Sequence, residues 1–180
     1  MATSTQNREL ISSLIRDIPD FPKPGVVFKD ITPLLASAAG YWAAVDELAA
    51  SAPAGIDVVV GMEARGFIFA GPVALALGAG FVPVRKPGKL PGDVYTQTFS
   101  LEYGDETLAV HTDAIMPGAK VLVIDDVLAT GGTVGATAAL IRRLGADLVH
   151  VSVLLELSFL GGRDHLATMG IPHASAVLTV

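Results

Sequence analysis

Cysteine is absent from the 180 residues, which excludes disulfide scaffolds, thiolate metal centres and cysteine nucleophiles together. Nothing therefore points to an oxidising compartment, and the cytoplasm is the expected location. Charge is also sparse: only 17% of residues are charged, and 12 Lys and Arg against 18 Asp and Glu leave a formal charge of -6. Such a balance argues against a general binder of nucleic acid or of anionic membranes. The opening residues MATSTQNREL lack the basic segment and apolar run of a secretory signal. One stretch without charge, Gly66 to Val84, approaches the length of a membrane span. It is interrupted by Gly71, Pro72, Gly78, Gly80 and Pro83, and divides into a helix, a turn and the start of a strand. Neither a Walker loop nor a GxGxxG fingerprint occurs. No lysine follows Lys120.

What is present is a chain that is 51% hydrophobic, enough for one domain with a substantial core. Leu10, Ile11, Leu14, Ile15 and Ile18 recur with helical spacing and predict an amphipathic helix over 5–18. The following segment, IPDFPKPGVVFKDITPLL, carries four prolines before Leu34 and reads as a rigid connector or cover. A helix is expected over 37–50. Strands and helices then alternate: strands at 57–62, 81–85, 120–125 and 148–156, helices at 66–77 and 133–144. That order, with near-continuous apolar strands, predicts an α/β fold, a mostly parallel central sheet with helices on both faces. Residues 93–112 are polar and β-rich and read as a projecting hairpin, a mobile flap.

The chemistry concentrates in VLVIDDVLATGGT, residues 121–133. An apolar strand ends in Asp125 and Asp126 and leads through a Gly-rich turn into a helix. Ligands of open parallel sheets gather at the carboxyl ends of strands, where a helix N-terminus offers unpaired N–H groups to a phosphate. Ala129, Thr130, Gly131, Gly132 and Thr133 would form the cradle. Two adjacent carboxylates need something to offset them: a ribose diol, a Mg²⁺ through water, or positive charge developing on a sugar. Arg65, Arg85, Lys86 and Lys89 supply a local concentration of positive charge on an acidic protein. His111, His150, His165 and His173 are scattered without ligand spacing, and Trp42 is expected to be packing.

The strand, acid pair and TGGT turn resemble the signature of the type I phosphoribosyltransferases. FPKPGVVFKDITPLL, GMEARGFIF, FVPVRKPGKLPG and SLEYG extend the likeness to the adenine-specific enzymes of that family, from about Ile18 to Arg163. The resemblance implies one domain over 1–180, with an N-terminal hood at about 19–35 and a flexible flap at about 93–112. It also implies transfer of the phosphoribosyl group from phosphoribosyl pyrophosphate to adenine, giving AMP and pyrophosphate, with Mg²⁺ carried by the substrate and no direct protein ligand. Asp125 and Asp126 would contact the ribose hydroxyls and residues 129–133 the 5′-phosphate. Glu63, Ala64 and Arg65, across a cis Glu63–Ala64 peptide, would hold pyrophosphate together with Arg85, Lys86 and Lys89. Within a homodimer, Arg85 would reach the neighbouring subunit's site. Glu102 would shuttle a proton at the base. Phe28 would stack on adenine beside Val27, Lys29, Tyr103 and Leu160. A non-catalytic sensor of the same ligand would need a nucleic-acid module or basic face that this acidic chain lacks. Enzymes for 6-oxopurines place a lysine late in the chain, where this sequence has none.

Overall fold

The computed structural model describes residues 3–101, 104–171 and 173–180. The chain divides into two compact units, Met1–Glu47 and Leu48–Val180.

In the first unit, helix α1 (Ser4–Ser13) opens on a capping box. The Thr3 amide donates to Gln6 Oε1 at 2.9 Å and the Gln6 amide to Thr3 Oγ1 at 3.3 Å, so two orphan amides are satisfied at once. The helix is shorter than the expected 5–18. Residues Arg16–Pro19 form strand β1, antiparallel to β2 (Val27–Asp30). Cross-strand ion pairs reinforce this hairpin, Arg16 Nη2 lying 2.6 Å from Asp30 and Lys29 Nζ 2.8 Å from Asp17. Local helical spacing thus yields at Leu14 to a pairing that Pro19, at a strand end, tolerates. The Asp30 carboxylate also accepts bonds from the Thr32 amide and hydroxyl at 2.9 and 2.7 Å. These bonds, with Arg16, hold its pKa down at about 2. Helix α2 (Thr32–Ala36) carries proline in its first turn, where no amide donor is lost. Helix α3 (Ala38–Ala50) follows, and its buried Glu47 accepts from Ser4, Asn7 and Arg8 of α1 at 2.8 to 3.2 Å.

The second unit runs β3 (Val58–Met62), α4 (Arg65–Leu77), β4 (Gly80–Val84), β5 (Val94–Leu101), β6 (Gly104–His111), β7 (Lys120–Leu128), α5 (Gly132–Arg143) and β8 (Asp147–Glu156). A 3₁₀ turn (Ser158–Leu160), α6 (Gly162–Thr168) and β9 (Ala174–Thr179) complete it. Five strands form a parallel sheet in the order β4-β3-β7-β8-β9. From β3 the chain steps through α4 to one edge, whereas from β7 it steps through α5 toward the other. Right-handed crossovers in opposite directions place the two helices on opposite faces. The central strands are correspondingly buried, with Val59, Val60, Val121 to Ile124, Val151, Val153 and Leu154 fully inaccessible.

The expected hairpin is present as β5 and β6. Its basal half is built into the core, with Leu108, Ala109 and Val110 buried. Arg85 and Ala109 exchange backbone bonds of 2.9 and 2.7 Å, and the Arg143 guanidinium lies 4.0 Å above the Tyr95 ring. The charge-free stretch forms α4, a Gly78 C-cap at φ 67° and β4. Among the described residues no helix is long and apolar enough to cross a membrane.

Candidate active site

The sheet reverses its winding between β3 and β7, which makes the crevice beyond their carboxyl ends the natural ligand site. The register shows where it opens. β3 pairs with β7 as far as Gly61 opposite Ile124, whereas β8 accompanies β7 on to Leu128 opposite Glu156. From Asp125 onward the β3 side of β7 is therefore released from the sheet.

Asp125 and Asp126 stand at that point. Asp126 is only 4% exposed, and its amide donates to Asp125 Oδ1 at 2.9 Å. Arg65, the first residue of α4, brings Nε to 3.0 Å from Asp126 Oδ2. The approach is off the hydrogen-bonding direction, so Oδ2 is buried beside a positive charge without an aligned donor among the described residues. Burial raises the pKa of both acids. Asp125 is pushed well above the usual carboxylate range by desolvation and then by the Asp126 charge. For Asp126, Arg65 opposes the effect of burial. A buried acceptor that lacks a donor is what a ligand hydroxyl satisfies.

Gly66 permits this closeness. A Cβ there would fall 2.8 Å from Asp125 Oδ1 and 3.2 Å from the Ile124 carbonyl oxygen. Just before it, the Glu63–Ala64 peptide is cis. Glu63 accepts from Arg85 Nε at 2.8 Å and from the Lys86 amide at 3.2 Å. Arg85 also donates to the Lys89 carbonyl at 3.1 Å, and Lys86 Nζ lies 3.3 Å from Glu106 of the hairpin. The two halves of the expected pyrophosphate grip, residues 63–65 and the basic segment, are thus joined within one chain. Arg85 is engaged by its own chain's Glu63.

Beyond the acids, Ala129 to Gly131 lead into α5. Gly131 is its N-cap at φ 85° and makes no side-chain cap bond. The first-turn amides and the helix dipole are therefore presented to an anion, flanked by the hydroxyls of Thr130 and Thr133. The cradle leans on the start of α6: a Cβ on Gly162 would lie 2.1 Å from the Ala129 carbonyl oxygen, and one on Gly131 3.0 Å from that of Gly162.

Of the expected base-binding residues, Glu102 and Tyr103 lie outside the described residues. In the first unit, Phe28 packs edge-on to Phe21, with centroids 5.2 Å apart. Val27 is 49% exposed, and Lys29 Nζ is held by both oxygens of Asp17 at 2.8 and 2.9 Å. Leu160, in the second unit, is partly exposed in the 3₁₀ turn. No group of three or more His, Cys, Asp or Glu among the described residues could hold a metal ion. Sequence reasoning missed Gly66, Gly162, and the Glu156–Arg163 pair behind the cradle. The glycines sit inside quoted motifs, but only the fold shows what they must clear.

A switch-point acid pair running into an anion-ready helix N-terminus has the chemistry that suits a phosphorylated sugar. The family profile described as Phosphoribosyl transferase domain matches residues 29–165, and the chain belongs to that family. Within it, adenine phosphoribosyltransferase of Cutibacterium acnes is 68% identical over 98% of this chain and 99% of its own length. The crystal structure of adenine phosphoribosyltransferase from Thermoanaerobacter pseudethanolicus superimposes with a TM-score of 0.92 at 44% identity, covering 96% of this chain and 99% of that one. The Saccharomyces cerevisiae enzyme, complexed with D-2,5-dideoxy-2,5-imino-altritol 1,6-bisphosphate and adenine, gives 0.89 at 35% identity over 97% and 99%.

Proposed function

We propose that this chain is an adenine phosphoribosyltransferase of purine salvage, transferring the 5-phosphoribosyl group of phosphoribosyl pyrophosphate to adenine and releasing AMP and pyrophosphate. The observation that carries the assignment is Asp126 Oδ2, a buried acceptor without an aligned donor on the strand that ends in the α5 cradle. A ribose with vicinal hydroxyls and a 5′-phosphate meets both demands. Purines that are not joined to such a sugar meet neither.

In this reading Asp125 and Asp126 accept from the ribose 2′- and 3′-hydroxyls and stabilise positive charge that develops on the sugar as the anomeric bond breaks. Residues 129–133 hold the 5′-phosphate. Glu63, Ala64 and Arg65 approach the pyrophosphate from α4, and Arg85, Lys86 and Lys89 from the basic turn. Adenine N9 is the nucleophile, Phe28 stacks on its ring beside Val27 and Lys29, and Leu160 lines the base. Glu102 and Tyr103 approach the base from the hairpin, where Glu102 exchanges a proton with the ring. The carboxylate pair also suits Mg²⁺ that arrives on the substrate, which supplies charge neutralisation at the leaving group. Alignment of base and sugar contributes up to roughly 7 to 11 kcal/mol in favourable cases.

The test is pyrophosphate release with phosphoribosyl pyrophosphate, Mg²⁺ and each nucleobase in turn. Adenine is expected to lead by about a hundredfold in kcat/KM, because a base that leaves buried polar groups unpaired is strongly disfavoured. Equal rates with hypoxanthine would overturn the base assignment and leave the transfer reaction standing. A cytoplasmic homodimer completes the reading, and sedimentation should give twice the 18.5 kDa chain mass.

A further inference from the structure

Behind the phosphate cradle lies an ion pair that the reaction itself does not use. Glu156 ends β8 directly opposite Leu128 of β7, one residue before the cradle begins, and it is 6% exposed. Arg163, in the first turn of α6, grips this carboxylate with both edges of its fork, Nε to Oε1 at 3.0 Å and Nη2 to Oε2 at 2.5 Å. Its Nη1 donates to the carbonyl of Ala174, the first residue of β9. One planar guanidinium therefore fixes α6 to the ends of two strands, a task that its rigid donor geometry suits and a lysine's single ammonium does not.

The neighbour of Arg163 gives that anchorage a consequence. Gly162 approaches the Ala129 carbonyl so closely that a Cβ would lie 2.1 Å from it, and Gly131 meets both the Gly162 carbonyl and the fully buried Leu166 of α6. The amides of the cradle can point at a phosphate only while this backing stays in place. We propose that Arg163 and Glu156 are positioning residues for sugar-phosphate binding: their ion pair holds the start of α6 against Ala129 and Gly131 and so sets the cradle's shape. Neither side chain needs to touch the ligand. This inference rests on the reading of 129–133 as the 5′-phosphate site.

Two probes separate the parts of the ligand: ribose 5-phosphate, which needs the cradle, and pyrophosphate, which does not. Both are titrated by calorimetry against the full chain carrying Arg163→Lys, against Glu156→Gln, and against Gly131→Ala as a direct disturbance of the cradle, since Gly131 sits at φ 85°. Arg163→Lys keeps the charge and loses the fork; Glu156→Gln keeps one acceptor and guards against a misfolded lysine variant. Misaligning one charge-assisted bond weakens binding by about tenfold. That loss is expected for ribose 5-phosphate in both strut variants, with pyrophosphate affinity unchanged and the KM for phosphoribosyl pyrophosphate raised more than kcat is lowered. If Gly131→Ala weakens ribose 5-phosphate and the folded strut variants bind it as the wild type does, the pair is merely structural and the proposal falls. An equal loss of both probes would also overturn it, as a general loosening of the fold. If Gly131→Ala leaves ribose 5-phosphate binding intact, the cradle reading itself fails, and the strut proposal with it.

Discussion

Asp125 and Asp126 set stability against function within two residues. A carboxylate whose native pKa is raised binds a proton more tightly in the folded than in the unfolded chain. Folding is then weakened as pH climbs above the ordinary value of 3.8 and through the raised native value. Asp125→Asn removes that penalty, so the ligand-free variant should melt higher than wild type at neutral pH. The gain should shrink on acidification toward pH 3.8 and below, where the wild-type group is itself protonated. The same substitution should lower kcat by about a hundredfold, the usual size of a lost charge-stabilising contact. Thermal melts across pH and steady-state rates on one preparation check both halves, and a melting temperature that falls at neutral pH would refute the burial argument. Asp126→Asn differs because Arg65 sits 3.0 Å from the carboxylate. Turnover should fall while the stability gain is smaller or reversed, since a partly buried cation loses its counter-charge. The acids themselves were legible in the sequence through their place between an apolar run and a Gly-rich turn. Their unequal surroundings were not, because Arg65 reaches them from a helix sixty residues earlier.

Elements differed in how far they could be read. Strands β3, β7 and β8 are largely buried, and their near-continuous apolar runs announced them. Helices α4 and α5 stood out by length and by glycine at their ends. Strand β1 was concealed because Ile15 and Ile18 extend the spacing of α1, and only pairing with β2 decides against the helix. β9 is a short edge strand of small residues and α6 has seven residues, so neither develops a periodic signal. The hairpin was recognised, but the burial of Leu108 to Val110 depends on partners from α5 and β4 that no local pattern reveals. Gly66 belongs to the same class, since its need for glycine is a property of the contact between α4 and β7. Gly66→Ala should therefore drive Asp125 or the start of α4 aside and destabilise the protein by about 1 to 3 kcal/mol, as overpacking does. Activity should fall further than stability accounts for, with the KM for phosphoribosyl pyrophosphate raised at temperatures where the variant is folded. Unaltered kinetics would mean that the contact relaxes without moving the acid.

At the scale of the molecule, the order β4-β3-β7-β8-β9 explains why motifs sixty residues apart in sequence serve one ligand. GMEARG follows β3, the acid pair closes β7, and opposite winding on either side leaves their carboxyl ends as the crevice. The alternation of strands and helices was enough to predict a parallel sheet; the position of the reversal required the pairing. This arrangement makes a prediction for hydrogen exchange in the second unit. Phosphoribosyl pyrophosphate with Mg²⁺, supplied without adenine so that no turnover occurs, should protect amides in residues 61–67 and 125–135. Those at the amino ends of the strands, residues 57–59, 119–121 and 147–149, should exchange as in the ligand-free chain. At a ligand concentration of 100 Kd the linkage is about 2.7 kcal/mol, or about a hundredfold in exchange rate for amides that open only when the ligand leaves. Partial ligands divide the effect: ribose 5-phosphate should protect 129–135 and leave 63–65 unchanged, whereas pyrophosphate should do the reverse. Protection spread evenly over both ends of the sheet would indicate general tightening. Protection confined to the amino ends would place the ligand on the wrong side of the sheet and overturn the assignment of the crevice.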